Sequence, residues 1–139
     1  NETIEIRSPT AIRPWQHVLE SLSGYILLAE KLYTYEQKYA SSFNFGPQYQ
    51  SNKSVLELVE ELIKHYPGTY CVRNINNSPH EANSLSLDTN KSFNQLGWAS
   101  KWDFETTIEK TINWYRKINK GEASTYDCCL EDISSYSQT

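Results

Sequence analysis

Five consecutive positions, Arg13-Pro14-Trp15-Gln16-His17, bring together a guanidinium, a ring-constrained backbone, an indole, an amide and an imidazole. The planar donor fork of Arg13 suits phosphate or carboxylate oxygens. Gln16 and His17 can each donate a hydrogen bond to a polar ligand. Pro14 stiffens the chain and biases Ile12 and Arg13 toward extended backbone. The plainer alternative puts Trp15 and Val18 in the core and leaves Arg13 and His17 solvated, as most arginines are. A second polar pair, His80-Glu81, begins like a zinc-protease motif, but Ser84 stands where the second histidine would have to be, so no zinc site follows. No Gly-x-Ser-x-Gly elbow occurs, and a cysteine nucleophile beside a histidine is allowed by spacing but supported by nothing else. The residues point to binding, with no catalytic group and no metal ligand set among them.

The elements that must position these groups follow from periodicity. Ile4-Glu5-Ile6-Arg7 alternates apolar and polar and predicts a short strand closed by Ser8-Pro9. From Val18, apolar Leu22, Tyr25, Ile26, Ala29, Leu32 and Tyr33 fall at helical spacing, predicting one wide buried face on a helix of about five or six turns. Gly24 costs that helix about 1 kcal/mol, so close packing is expected there. Ser42-Phe43-Asn44-Phe45-Gly46 predicts a strand ending in a Gly-Pro turn, with Asn44 on it. Ser54-Val55-Leu56-Glu57 matches a capping box for a helix with Val55, Leu58, Val59, Leu62 and Ile63 inward, stopped by Pro67-Gly68. Thr69–Val72 predicts a strand, and residues 73–83 a polar loop. Asp88 is expected to cap a short helix carrying Phe93 and Leu96 and ending at Gly97. Asp103 is expected to cap a longer one with Phe104, Ile108, Ile112, Tyr115 and Ile118 inward, ended by Asn119-Lys120-Gly121. A last helix, Thr125 to Tyr136, would hold Leu130 and Ile133, with a frayed end. For Trp15, Trp98, Trp102 and Trp114, spacing and neighbouring caps favour core packing over stacking on sugars.

A chain of 139 residues suits one domain, taken here as 1–139, long enough to bury a core. The net charge is −4 without a basic stripe, which argues against a nucleic-acid partner. No apolar run approaches the roughly 18 residues of a membrane helix, and the first residues are too polar for a signal peptide. A soluble, cytoplasmic protein is expected. Three cysteines, two of them adjacent at Cys128 and Cys129, exclude a disulfide scaffold.

The residues also carry a resemblance. Ile12-Arg13-Pro14-Trp15-Gln16-His17-Val18-Leu19-Glu20, then Leu22-Ser23-Gly24-Tyr25 and Leu28-Ala29-Glu30, resemble the CDP-glucose 4,6-dehydratases, extended short-chain dehydrogenase/reductases acting on nucleotide sugars. Phe43-Asn44-Phe45-Gly46-Pro47, Pro79-His80-Glu81-Ala82, Leu96-Gly97-Trp98, Thr111-Ile112-Asn113-Trp114-Tyr115 and Cys129-Leu130-Glu131-Asp132-Ile133 follow in that family's order. The Arg-Pro-Trp-Gln-His-Val string is specific to this branch. Leu-Gly-Trp and Trp-Tyr are common to extended members generally. Departures are Ser21 where relatives have proline, Phe43 where they have tryptophan, and Asn77-Ser78-Pro79, which lacks the arginine of related loops.

The resemblance implies a small, helix-rich α/β substrate-binding domain with short strands, the C-terminal part of a longer enzyme. Five glycines, at 24, 46, 68, 97 and 121, are too far apart for a dinucleotide loop, and Tyr35 and Lys38 are three apart where Tyr-x-x-x-Lys needs four. The NAD-binding Rossmann half and every catalytic motif are therefore expected before residue 1. NAD would serve the intact enzyme and none would bind this part. The family reaction takes hydride from C4, eliminates water across C5 and C6, and returns the hydride to C6, converting CDP-glucose to CDP-4-keto-6-deoxyglucose for deoxysugar and surface-polysaccharide synthesis. The implied substrate contacts are Arg13, as a diphosphate clamp, with Gln16, His17, Asn44, His80 and Glu81. Base preference rests on the resemblance alone. Phe43, Phe45 and the helix from Val18 are expected to expose apolar surface that the missing half covers, favouring self-association. The alternatives are a standalone sugar-nucleotide-binding or assembly module and a UDP- or dTDP-sugar dehydratase or epimerase.

Overall fold

The computed structural model describes residues 3–73 and 82–139, with the side chain of Glu36 outside the description. Four short strands and five helices follow in the order β1 (Thr3–Ile6), β2 (Ile12–Pro14), α1 (Val18–Tyr35), β3 (Asn52–Ser54), α2 (Val55–His65), β4 (Thr69–Val72), α3 (Asn90–Leu96), α4 (Phe104–Asn119) and α5 (Thr125–Gln138). β1 and β4 pair in parallel, with Thr3 opposite Thr69 and Ile6 opposite Val72. β2 and β3 pair antiparallel, Arg13 opposite Lys53. The other side of β2 is bridged through Ile12, whose amide donates to the Asn83 carbonyl at 2.9 Å and whose carbonyl accepts from Leu85 at 3.1 Å. Arg13 thus sits on the middle segment of a small three-segment patch.

α2 begins as its capping box predicts. The Ser54 hydroxyl accepts from the Glu57 amide, while the Glu57 carboxylate accepts from the Ser54 amide at 2.7 Å. Two further orphan amides of the first turn are taken by the chain before β2, Val55 donating to the Ala11 carbonyl and Leu56 to that of Pro9, both at 3.0 Å. The cap therefore also anchors the approach to β2. Ser54→Ala is expected to cost about 1 kcal/mol in urea denaturation; an unchanged midpoint would remove the cap from this account.

α1 departs from its sequence pattern in a revealing way. The apolar stripe predicted to be buried is exposed: Tyr25, Ile26 and Tyr33 are 59%, 70% and 92% accessible. The buried residues of the helix are Glu20 and Gly24. Periodicity locates an apolar face but not which neighbour covers it; here Tyr25 meets the Phe45 ring edge-on at 5.5 Å, and the face stays largely exposed. Gly24 does admit close approach, of a ring rather than a backbone: a Cβ there would fall 2.2–2.6 Å from ring carbons of Phe45. Phe45, expected to be exposed, is instead buried against Leu96 and Trp98, and Phe43 is half-buried.

Glu20 is fully buried and organises the connection between α3 and α4. Its carboxylate accepts from the Lys101 amide at 3.1 Å, the Trp102 amide at 2.8 Å and the Tyr136 hydroxyl at 2.7 Å. The Trp98 indole donates to the Ser23 hydroxyl at 2.9 Å, and that hydroxyl lies 3.1 Å from the Tyr136 hydroxyl. Burial, then the bond to Glu20, push the Tyr136 phenol well above its ordinary range, so it stays a donor. One carboxylate on α1 therefore fixes the loop before α4 and the end of α5.

The remaining elements are mostly as predicted, with shifted faces. The residue flanking α3 is Thr89 rather than Asp88; the Asp88 carboxylate still accepts from the Asn90 amide at 2.9 Å, and Gly97 closes the helix at φ 71°. Tyr115, expected inward, is 57% exposed; Phe93 on α3 is 61% exposed, and on α5 Leu130 and Ile133 are exposed while Cys128 and Tyr136 are buried. Asp103 caps α4. The helix α5 runs to Gln138, two residues past its expected end at Tyr136. Residues 42–46 are extended but form no strand among the described residues. Trp98 and Trp102 are core, whereas Trp15 and Trp114 are half-buried.

Candidate functional site

β2 delivers Arg13 half-buried at its centre. One Nη of the guanidinium donates to its neighbour's carbonyl, Ile12, at 2.8 Å and to the Ala82 carbonyl at 3.0 Å. The adjacent Trp15 indole donates to the Lys53 carbonyl at 2.9 Å, tying the segment after Arg13 to β3. A guanidinium braced in this way is a pre-positioned cation, which lowers the ordering cost of meeting an anion. It lies against Ala82, the residue that follows His80-Glu81 in the chain. His80 and Glu81 themselves, with most of the predicted 73–83 loop, lie outside the described residues.

Gln16 and His17 are placed differently from Arg13. The Gln16 amide donates to the Ser21 hydroxyl at 2.9 Å and to the Phe45 carbonyl at 3.0 Å, so both its protons hold the start of α1 to the 42–47 segment. His17 is 8% exposed. Its ring meets that of Trp102 edge-on at 4.9 Å, and its Nδ1 accepts from the Leu19 amide at 3.3 Å. Burial pushes its pKa below the ordinary imidazole value, and Lys110 adds to this, while the Asp132 and Glu20 carboxylates oppose it. The lowered value favours the neutral ring, and the Leu19 bond to Nδ1 then puts its proton on Nε2. Asn44 is exposed and ties two segments together, its amide donating to the Asp88 carbonyl at 3.1 Å while its own carbonyl accepts from the Ser92 hydroxyl. Asp88 and Asn52 line a polar hollow of about 280 Å³ with Gln48, Tyr49, Ser86 and Asn90.

The six predicted contacts therefore do not form one cluster within the described residues. Arg13 faces the stem at Ala82, whereas Gln16 and His17 line a separate groove of about 530 Å³ between α1, α4 and α5. Sequence reasoning missed the other walls of that groove, Trp114 and Asp132, because only tertiary packing brings residues about a hundred positions apart together. It also missed Glu20, whose place in a helix's first turn is what any dipole-pairing carboxylate would show. Among the described residues no group of His, Cys, Asp and Glu is arranged to hold a metal ion. None of the helices described is long and apolar enough to cross a membrane.

Comparison with known proteins supports the resemblance. The chain is 38% identical over 98% of its length to the CDP-glucose 4,6-dehydratase of Salmonella typhimurium. It is related to the CDP-glucose 4,6-dehydratases. It spans 38% of that relative's length. A bifunctional UDP-glucose 4-epimerase and UDP-xylose 4-epimerase of Pisum sativum is 30% identical over 78% of this chain, which covers 30% of it. Among solved structures, the dTDP-glucose 4,6-dehydratase of Bacillus anthracis, crystallised with NAD, superposes with a TM-score of 0.63 at 20% identity, over 84% of this chain and 35% of that one. The fold is the helix-rich C-terminal portion of an extended short-chain dehydrogenase/reductase. No protein-family model matches the sequence.

Proposed function

We propose that this chain is the substrate-binding part of a nucleotide-sugar dehydratase that converts CDP-glucose to CDP-4-keto-6-deoxyglucose and water. The observation that carries this reading is the braced guanidinium of Arg13, in a chain 38% identical to a CDP-glucose 4,6-dehydratase. Arg13 clamps the diphosphate, and Asn44, His80 and Glu81 supply polar contacts along the nucleotide. Gln16 and His17 act from behind, holding α1 and the 42–47 segment. The residues of this chain do not fit NAD: its two glycines with left-handed backbone, Gly97 and Gly121, close helix C-termini rather than cradle a pyrophosphate. NAD belongs to the remainder of the enzyme, so this part alone binds CDP-sugar weakly and turns over nothing.

The exposed stripe Val18, Leu22, Tyr25, Ile26 and Tyr33 on α1 supports a seam with that remainder. Left uncovered, the same stripe favours self-association of the isolated part.

The test is calorimetric titration of CDP, UDP and dTDP onto the full-length protein and its Arg13 variants. Arg13→Ala is expected to weaken CDP binding about 10- to 100-fold, the worth of charge-assisted bonds to phosphate. Arg13→Lys should recover only part, because an ammonium cannot pair two oxygens in one plane. Undiminished CDP affinity in Arg13→Ala would defeat the clamp. Tighter UDP or dTDP binding would move the assignment to the related epimerases or dehydratases.

A further inference from the structure

Arg13 is not among the walls of the groove between the start of α1, α4 and α5, which shares Val18 and Leu22 with the α1 stripe. Its volume of about 530 Å³ falls in the range of small-molecule sites. Its sides are apolar and aromatic, with Val18, Leu22, Trp114, Tyr115 and Ile133. Polar side chains interrupt them, Gln16 and Thr111 among them, and two bear on a ligand, His17 and Asp132. His17, more than nine-tenths buried, spends Nδ1 on the Leu19 amide, leaving the Nε2 proton with no partner among the described residues. Asp132, half-buried, makes no hydrogen bond or salt bridge among the described residues, and the charges that act on it from nearby include those of His17, Lys110 and Lys117.

An unspent carboxylate on an apolar wall is costly unless something meets it. Neither neighbouring ammonium is aimed at it. Lys110 donates to the Ser135 hydroxyl at 2.8 Å and lies over the Trp102 ring, and Lys117 pairs with Glu131. No lysine or arginine is among the lining residues described. The complement of these walls is a flat, apolar body carrying positive charge and N–H donors. Its ring would pack on Trp114 and Tyr115, and its cationic edge would donate to Asp132.

We propose that this groove is a second ligand site, distinct from the Arg13 surface, for a small aromatic cation of the amidine or arylammonium kind.

The test uses benzamidine as probe and benzyl alcohol as its uncharged counterpart, titrated onto the full-length protein and followed by the NMR signal of the Trp114 indole N–H. Benzamidine should shift that signal saturably in the low-millimolar range or better. Benzyl alcohol should bind at least about tenfold more weakly. Asp132→Asn should weaken benzamidine about tenfold and leave benzyl alcohol unchanged. Ile133→Trp, at an exposed rim position, should fill the groove and abolish both without lowering the melting temperature. Equal binding of the two probes, indifference to Asp132→Asn, or no saturable shift because other polypeptide already fills the groove would each overturn the proposal. CDP titration of the same samples keeps the two readings separate, because none of these changes touches Arg13.

Discussion

Replacing Glu20 with alanine is expected to cost about 3–5 kcal/mol of stability. The carboxylate is 0% exposed and accepts from two backbone amides and a phenol. Its removal leaves the amides of Lys101 and Trp102 and the Tyr136 hydroxyl buried without an acceptor, each worth about 1–3 kcal/mol when orphaned. A domain of this size has a total margin of about 5–15 kcal/mol, so Glu20→Ala should approach unfolding. Glu20→Gln keeps one acceptor oxygen but turns the other into a donor facing donors, and should lose about half as much. Denaturant unfolding of the three proteins, followed by circular dichroism, measures the order. A loss below about 1 kcal/mol for alanine would mean that water replaces the carboxylate and that the loop before α4 is held by something else.

Phe45→Ala should cost about 3–5 kcal/mol by emptying the cluster it forms with Leu96 and Trp98. The sharper result lies in its coupling to Gly24. In the natural background Gly24→Ala places a methyl 2.2–2.6 Å from Phe45 ring carbons, and overpacking of about 1–3 kcal/mol outweighs the roughly 1 kcal/mol gained in helix propensity. Without the ring the clash is gone, so Gly24→Ala should then stabilise by about 0.5–1 kcal/mol. The sign of the alanine effect thus reverses between backgrounds. A double-mutant cycle reads it directly, and additive losses would mean that the ring yields freely and the contact specifies nothing.

Much of the fold was legible because it is local. The cap at Ser54, the cap at Asp103, the stop at Gly97 and the strands around Glu5 and Tyr70 each depend on a few adjacent residues, and each is found within a residue or so of its expected place. The miss at Asp88 was a one-residue shift, because an aspartate can bond a first-turn amide from outside the helix as well as from the cap. The failures concern faces. Leu22, Tyr25 and Ile26 have the spacing of a buried stripe, yet the helix turns Glu20 and Gly24 inward. The run 42–46 has strand character, but a strand requires a neighbour that this sequence does not name.

The candidate site divides the same way. The extended backbone at Arg13 was readable from the proline beside it, and its proposed ligand rests on the family resemblance. That Gln16 and His17 belong to another concavity was not, because a single turn of chain between β2 and α1 sends neighbouring side chains to different sides of the molecule. By itself the sequence determined where helices begin and end, since caps and turns are satisfied by the nearest backbone groups. Only the tertiary structure decided which carboxylate is buried and which apolar face is left open, because desolvation and donor convergence depend on residues some eighty to a hundred and twenty positions away, as with Glu20, Trp102 and Tyr136.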